Sequence, residues 1–167
     1  MTDEIYQPPE VFSLDGLQVA CGTMGLQTAT VRLLGPGEEE FIQAAVGTGP
    51  VDAVYKAIDK IIGASNTLLE FSVHAVTEGI DAQGEVTVRI QEGSENKDVE
   101  GSGEIQRTFG GYGADTGIIV ASAKAYLAAV NKLLGITSAS SETHGPTEIA
   151  TPEVSEETTG ERASSPA

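Results

Sequence analysis

The sequence predicts an α+β fold built from two βββα units. Three observations carry this prediction. Short segments that alternate apolar and polar residues come in sets of three, and each set leads into a stretch with an apolar face at helical spacing. A Gly-x-Gly turn precedes each helix, at Gly47-Thr48-Gly49 and again at Gly111-Tyr112-Gly113, which marks an internal repeat. One unit alone is too small to bury both its sheet and its helix, so the two are expected to pack together over residues 12–135.

Taken in order, residues 1–11 are polar and Pro-containing and read as a linker or edge segment. Phe12 to Ala20 reads as a first strand interrupted by the turn-prone pair Asp15-Gly16, and Cys21 to Gly25 as a flexible connection. Leu26 to Leu34 alternates, with Ala29, Val31 and Leu33 on one side and Thr28, Thr30 and Arg32 on the other. Gly35-Pro36-Gly37 is a turn, and Glu40 to Val46 a third strand with Ile42, Ala44 and Val46 sharing a face. Gly47 and Gly49 permit a tight turn and close approach to the main chain. Pro50 suits a first helical turn, and Val51, Val54, Tyr55, Ile58, Ile61 and Ile62 line one helix face up to a stop at Gly63.

The pattern then repeats. Leu69, Phe71, Val73 and Ala75 alternate along a strand, Asp81 to Gly84 turn, and Val86, Val88 and Ile90 alternate along the next strand. Gly93 to Gly103 is polar and acidic and reads as a loop, and Glu104 to Phe109 as a third strand. A helix is expected from about Asp115 to Leu134, capped by Asp115 or Thr116, lined by Ile119, Ala123, Tyr126, Val130, Leu133 and Leu134, and ended by Gly135. Its further alanines, Ala121, Ala125, Ala128 and Ala129, make a smooth surface that suggests a second copy of the chain as partner. Residues 136–167 are rich in Ser, Thr, Glu and Pro, with six Glu and one Arg, and are expected to form a disordered acidic tail.

Charge and composition exclude several functions. The net charge of −16 argues against nucleic acid and against an anionic membrane surface as partners. No signal peptide and no apolar run of bilayer length stand out. The single cysteine, Cys21, excludes an internal disulfide framework, and a reducing cytoplasmic compartment fits. Catalytic chemistry is hard to find. His74, His144 and Cys21 make no metal-ligand spacing, His74 has no orienting partner, and Ser122 lacks a nucleophile elbow. Gly-Thr-Gly-Pro-Val-Asp lacks the third glycine of a dinucleotide fingerprint and sits in an antiparallel pattern. The acidic residues Glu38 to Glu40 and Asp98, Glu100 and Glu104 read as solvated surface.

The runs GTGPVDAVYKAID, HAVTEGIDAQGEVTVRI and GYGADTGIIVASAKAYLAAVNKLLG resemble the C-terminal regulatory domain of 2-isopropylmalate synthases, the LeuA dimer domain. The opening FSLDGLQVACGTMGLQTATVRL is similar to that domain's first strands, so the resemblance covers about Phe12 to Gly135. It implies a pair of βββα units, a homodimer, and L-leucine bound at the dimer interface for feedback inhibition. It implies that catalysis, the condensation of acetyl-CoA with 2-oxoisovalerate, belongs to a separate metal-dependent barrel whose His-x-His motif this sequence lacks. The divalent metal and acetyl-CoA would then belong to that barrel, leaving this chain without cofactor, metal or catalytic residues of its own. Carried over by motif, the effector site comprises Gly47, Gly49, Val51 and Asp52 in the turn, Leu68, Phe71, Ala75 and Ala82 in the second unit, and Ile118 after Gly-Tyr-Gly. Some family members carry Tyr where Phe71 stands and Ala where Asp52 stands.

The residue chemistry suits that role. Amides at a helix start attract a carboxylate. Val51, Leu68, Phe71 and Ile118 could enclose an isobutyl group, worth roughly 1.5–3 kcal/mol when fully buried. Backbone carbonyls or Asp52 would accept from the ammonium. Two other readings compete. The isoleucine-sensing regulatory domain of citramalate synthase differs in the position of one methyl on its effector, and a purely structural dimerisation module would bind neither amino acid.

Overall fold

The computed structural model describes residues 10–75, 79, 82–93 and 106–142, with side chains through 138. The expected linker over residues 1–11 lies almost wholly outside this set, as do most of the acidic loop after Gly93 and residues 143–167 of the expected tail. Two three-stranded antiparallel sheets are each followed by a helix. In the first unit β1 (Ser13–Ala20), β2 (Gln27–Leu34) and β3 (Glu40–Gly47) lead to α1 (Pro50–Ile62). In the second, β4 (Asn66–Ala75), β5 (Gly84–Glu92) and β6 (Thr108–Asp115) lead to α2 (Ile118–Glu142). The strand order is sequential in both sheets, as hairpin connections dictate.

Strand alternation sets the core. Ala29, Val31 and Leu33 from β2 and Val86, Val88 and Ile90 from β5 are fully buried, and each aliphatic side chain of this size contributes roughly 1.5–3 kcal/mol. β1 carries a register shift between Leu14 and Gly16, where the Asp15-Gly16 pair interrupted the pattern. On β3 the expected face is real but reversed. Ala45 pairs with Ala29 and points inward, so Ile42, Ala44 and Val46 share the outward, exposed face. A second register shift, between Leu68 and Glu70, moves Leu68 rather than Leu69 onto the face of Phe71, Val73 and Ala75. Periodicity alone misses such a shift because one extra residue flips every side chain beyond it.

The helix ends differ in kind. Gly63 closes α1 in the left-handed region at φ 67°, donating its N–H to the Asp59 carbonyl at 2.7 Å. Gly135 does not end α2, which continues seven residues further to Glu142, into the stretch expected to be tail. The second Gly-x-Gly is also not a turn, because Gly111 and Gly113 lie within β6 against α2. A Cβ on Gly111 would stand 2.7 Å from the Ala129 nitrogen, and one on Gly113 would stand 2.6 Å from the Ala125 nitrogen. The actual counterpart of Gly49 is Gly117. Each accepts the first helical bond through its carbonyl, from Ala53 and Ala121 respectively.

Most of the alanine surface of α2 is therefore spent inside the chain, with only Ala128 left half-buried. Ala121, Ala125 and Ala129 are buried where the strand glycines admit the helix, which removes that surface as an argument for a second copy. The stretch Ile118–Ser138 is long and apolar enough to cross a membrane by length and composition, contrary to the sequence reading. Its apolar side chains pack on β5 and β6 instead, and 56% of its most apolar 18-residue window is buried. Asn131 ties α2 to the first unit by accepting from the Phe12 N–H at 2.9 Å and donating to the Phe12 carbonyl at 2.8 Å.

Candidate functional site

The two helices lie side by side and parallel. The Tyr55 hydroxyl donates to the Ser122 carbonyl at 3.2 Å, and Tyr126 meets Asp59 one turn further along, so the same spacing of 67 residues recurs. Continuing that spacing one turn back sets Val51 beside Ile118 at the helix starts. Strand β4 runs antiparallel along this seam. Its first residue, Asn66, meets Asp59 and Tyr126, while Phe71 packs edge-on against Tyr55 with ring centroids 6.4 Å apart. Ala75 pairs with Gly84, over which Ile118 lies: a Cβ on Gly84 would stand 2.6 Å from Ile118 Cδ1. Ala82 precedes this pair in a turn, with its N–H on the Gly79 carbonyl at 3.3 Å.

Thus Val51, Phe71, Ala75, Ala82 and Ile118 gather toward the end of the molecule where both helices begin. Leu68 shares the face of Phe71 but sits toward the other end of β4, about 20 Å from Ala75 by strand rise. The wall is open in the single chain. Leu68, Phe71, Val73 and Ile118 are 40–45% exposed, because α2 covers β5 and β6 and leaves the inner face of edge strand β4 uncovered. Surface grooves elsewhere, one along β1 and α2 and one at the C-terminal end of α1, are lined by none of the nine residues.

The β3–α1 turn divides its residues between structure and openness. A Cβ on Gly47 would stand 2.7 Å from Asp52 Oδ2 and 2.8 Å from Ala53 Cα, so that glycine lets strand and helix meet. Gly49 is different: a Cβ there would meet nothing within 4 Å. Asp52 fastens the turn, accepting from the Thr48 N–H at 2.9 Å and pairing with Lys56 at 2.8 Å. The hydrogen bond from Lys56, followed by that from the Thr48 amide, holds its carboxyl below the ordinary range. Asp115 does the same work in the second unit. It accepts from the Gly117 N–H at 3.0 Å and pairs with Lys124 at 2.7 Å, which lowers its carboxyl likewise.

Two residues of this region were not singled out from the sequence as site residues. Tyr55 backs Phe71, and Gly84 makes room for Ile118. The available signal was a lone aromatic with a polar tip on the otherwise aliphatic α1 face, and a glycine opening β5. Among the described residues no group of three or more His, Cys, Asp or Glu is placed to hold a metal ion.

Comparison with known proteins agrees with this architecture. Residues 1–134 match the family model of the LeuA allosteric (dimerisation) domain. The chain is 55% identical over 133 residues to a 2-isopropylmalate synthase of Gloeobacter violaceus, covering 80% of this chain and 22% of that protein. It is 48% identical over 144 residues to that of Crocosphaera subtropica, covering 86% and 25%. It is 46% identical over 136 residues to 2-isopropylmalate synthase B of Solanum pennellii, covering 80% and 22%. The chain thus spans 22% to 25% of the length of these relatives. With the model matching most of its length and two βββα units in its fold, the chain belongs to the LeuA allosteric (dimerisation) domain family.

Proposed function

We propose that this chain is the effector-sensing part of a 2-isopropylmalate synthase, a regulatory unit without catalysis of its own. It works in the cytoplasm as a homodimer attached to a catalytic barrel, and it binds L-leucine for feedback inhibition. The observation that carries this reading is the open apolar wall of Val51, Phe71, Ala75 and Ile118 at the paired helix starts. A second copy laid over β4 would close that wall around a branched aliphatic side chain. The amides of the α1 start would face the effector's carboxylate, and Gly49 leaves the approach to them clear. The lowered Asp52 carboxyl stays charged at neutral pH and is available to an ammonium group. The metal and acetyl-CoA chemistry belongs on this reading to the barrel, so no step is assigned to residues of this chain. Inhibition follows if leucine binds two states of the assembly with different affinity.

Calorimetric titration with leucine and with isoleucine tests the reading. Tighter binding of leucine, lost in Gly49→Leu while the fold is retained, supports it. Preference for isoleucine moves the assignment to a citramalate synthase regulator, and binding of neither by an intact dimer leaves a structural module.

A further inference from the structure

Tyr126 Oη lies 2.6 Å from Asp59 Oδ1 and 2.9 Å from Asn66 Oδ1. Both neighbours are acceptors as placed, yet a phenol has one proton to give. Turning the Asn66 amide over does not resolve this. Its nitrogen faces Asp59 Oδ1 at 3.4 Å and the Ala64 carbonyl at 3.5 Å, so a flip would put three oxygens together. With Asp59 ionised, Tyr126 donates to the carboxylate and Asn66 Oδ1 is left without that proton. With Asp59 protonated, the chain closes: Asp59 donates to Tyr126, and Tyr126 donates to Asn66. The geometry points to a proton-operated clasp in which protonation of Asp59 fastens the start of β4, through Asn66 and Tyr126, to α1 and α2.

Among the described residues, Glu92 on β5 stands opposite Asn66, and no charged side chain other than Asp59 is hydrogen-bonded to Tyr126 or Asn66. On α1, Lys56 pairs with Asp52 and Lys60 donates to the Ala44 carbonyl. On the strands, Arg32 pairs with Asp15 and Glu70 with Arg89, Glu40 stands exposed at the start of β3, and His74 lies at the opposite end of β4. On α2, Lys124 pairs with Asp115 and Lys132 donates to the Gly110 carbonyl. Burial therefore dominates and raises the Asp59 carboxyl above its ordinary value, opposed by the hydrogen bonds from Tyr126 and Asn66. The clasp adjoins the apolar wall, because Tyr126 stacks on Tyr55 at 4.1 Å and Tyr55 backs Phe71. It stands whether or not the chain binds an amino acid.

The sign follows from linkage. A carboxyl raised in the folded state stabilises the fold fully below its unfolded pKa, and that stability is lost as pH rises through the folded value. The test is a carbon-13 NMR titration of the wild-type side chains, with urea unfolding of wild type and Asp59→Asn from pH 3 to 8. The Asp59 carboxyl should titrate above about 3.9, with the Asn66 side-chain amide moving at the same midpoint. The urea midpoint of wild type relative to Asp59→Asn should fall across that window. An Asp59 midpoint at or below the ordinary value, or an Asn66 amide indifferent to it, overturns the clasp. Because both signals come from wild type, they decide even if Asp59→Asn fails to fold.

Discussion

Gly111→Ala probes the tightest glycine-to-helix approach among the described residues. The added methyl would stand 2.7 Å from the Ala129 nitrogen and 2.9 Å from the Ala129 Cβ, with the Ala125 carbonyl oxygen closer still. Ordinary contact begins near 3.4 Å, so the Ala129 nitrogen must retreat by 0.7 Å and the Ala125 oxygen by more. These are helix backbone atoms on a 25-residue helix, and no rotamer change can absorb the strain. A gap of 0.5–1 Å forfeits roughly a quarter to a half of the dispersion well for each contact it opens. Overpacking of this kind costs about 1–3 kcal/mol and occasionally more, and two backbone contacts in one site argue for about 3 kcal/mol. Gly110→Ala is the matched control. Its side chain would point outward, with the nearest atom, the Val88 carbonyl oxygen, 3.9 Å away, so a change within about 0.5 kcal/mol is expected. Urea unfolding of both variants measures the difference. If Gly111→Ala fell within about 1 kcal/mol of Gly110→Ala, the account of β6 as a glycine seat for α2 would be wrong.

Other substitutions separate features that look alike in sequence. Gly63→Ala should cost about 1–2 kcal/mol because its residue sits in the left-handed region, whereas Gly135→Ala, inside α2 with nothing within 4 Å, should gain about 0.5–1 kcal/mol. Equal effects in thermal unfolding would refute that distinction. Asn131→Ala strips both partners from the Phe12 backbone and should cost about 1–3 kcal/mol, read as a lower urea midpoint. An unchanged midpoint would mean that water replaces the tie. Asp52 titrates with the opposite sign to Asp59. Its lowered carboxyl stabilises the fold above about pH 3.9, and that contribution is lost as pH falls through the folded value. Wild type and Asp52→Asn should therefore converge in stability in acid, and a constant gap from pH 2 to 6 would contradict the assignment. On the proposed function, Phe71→Ala should weaken leucine binding far more than it lowers stability, since the ring is 41% exposed in the single chain, and calorimetry beside thermal unfolding reads the two effects separately.

Much of the fold was legible in the chain. Val31 and Leu33, Val86 and Val88, and the face from Val54 to Ile58 follow from periods of two and 3.6, which are fixed by backbone geometry. Pro50 and Gly63 bracket α1 because each has a local conformational role. The turn glycines were only half legible. Gly47 is explained by contact with α1, while Gly49 has no packing reason to be glycine, and nothing in GTGP distinguishes them.

The sequence by itself determined most of the unit: five of the six strands, both helices, and that the pattern occurs twice. These follow from each residue's own geometry and its near neighbours. The sixth strand lies at Thr108–Asp115 and not at Glu104 to Phe109, because Gly111 and Gly113, read as a turn, are strand residues packed on α2. Tertiary structure decided the rest. It turned Ile42 and Val46 outward, brought Leu68 inward through a register shift, and carried α2 past Gly135. It spent the alanines of α2 on the glycines of β6, left β4 bare, and gathered Asp59, Asn66 and Tyr126 around one proton. Each of these outcomes depends on which surface lies opposite, and a surface's partner is a property of packing between residues far apart in the chain.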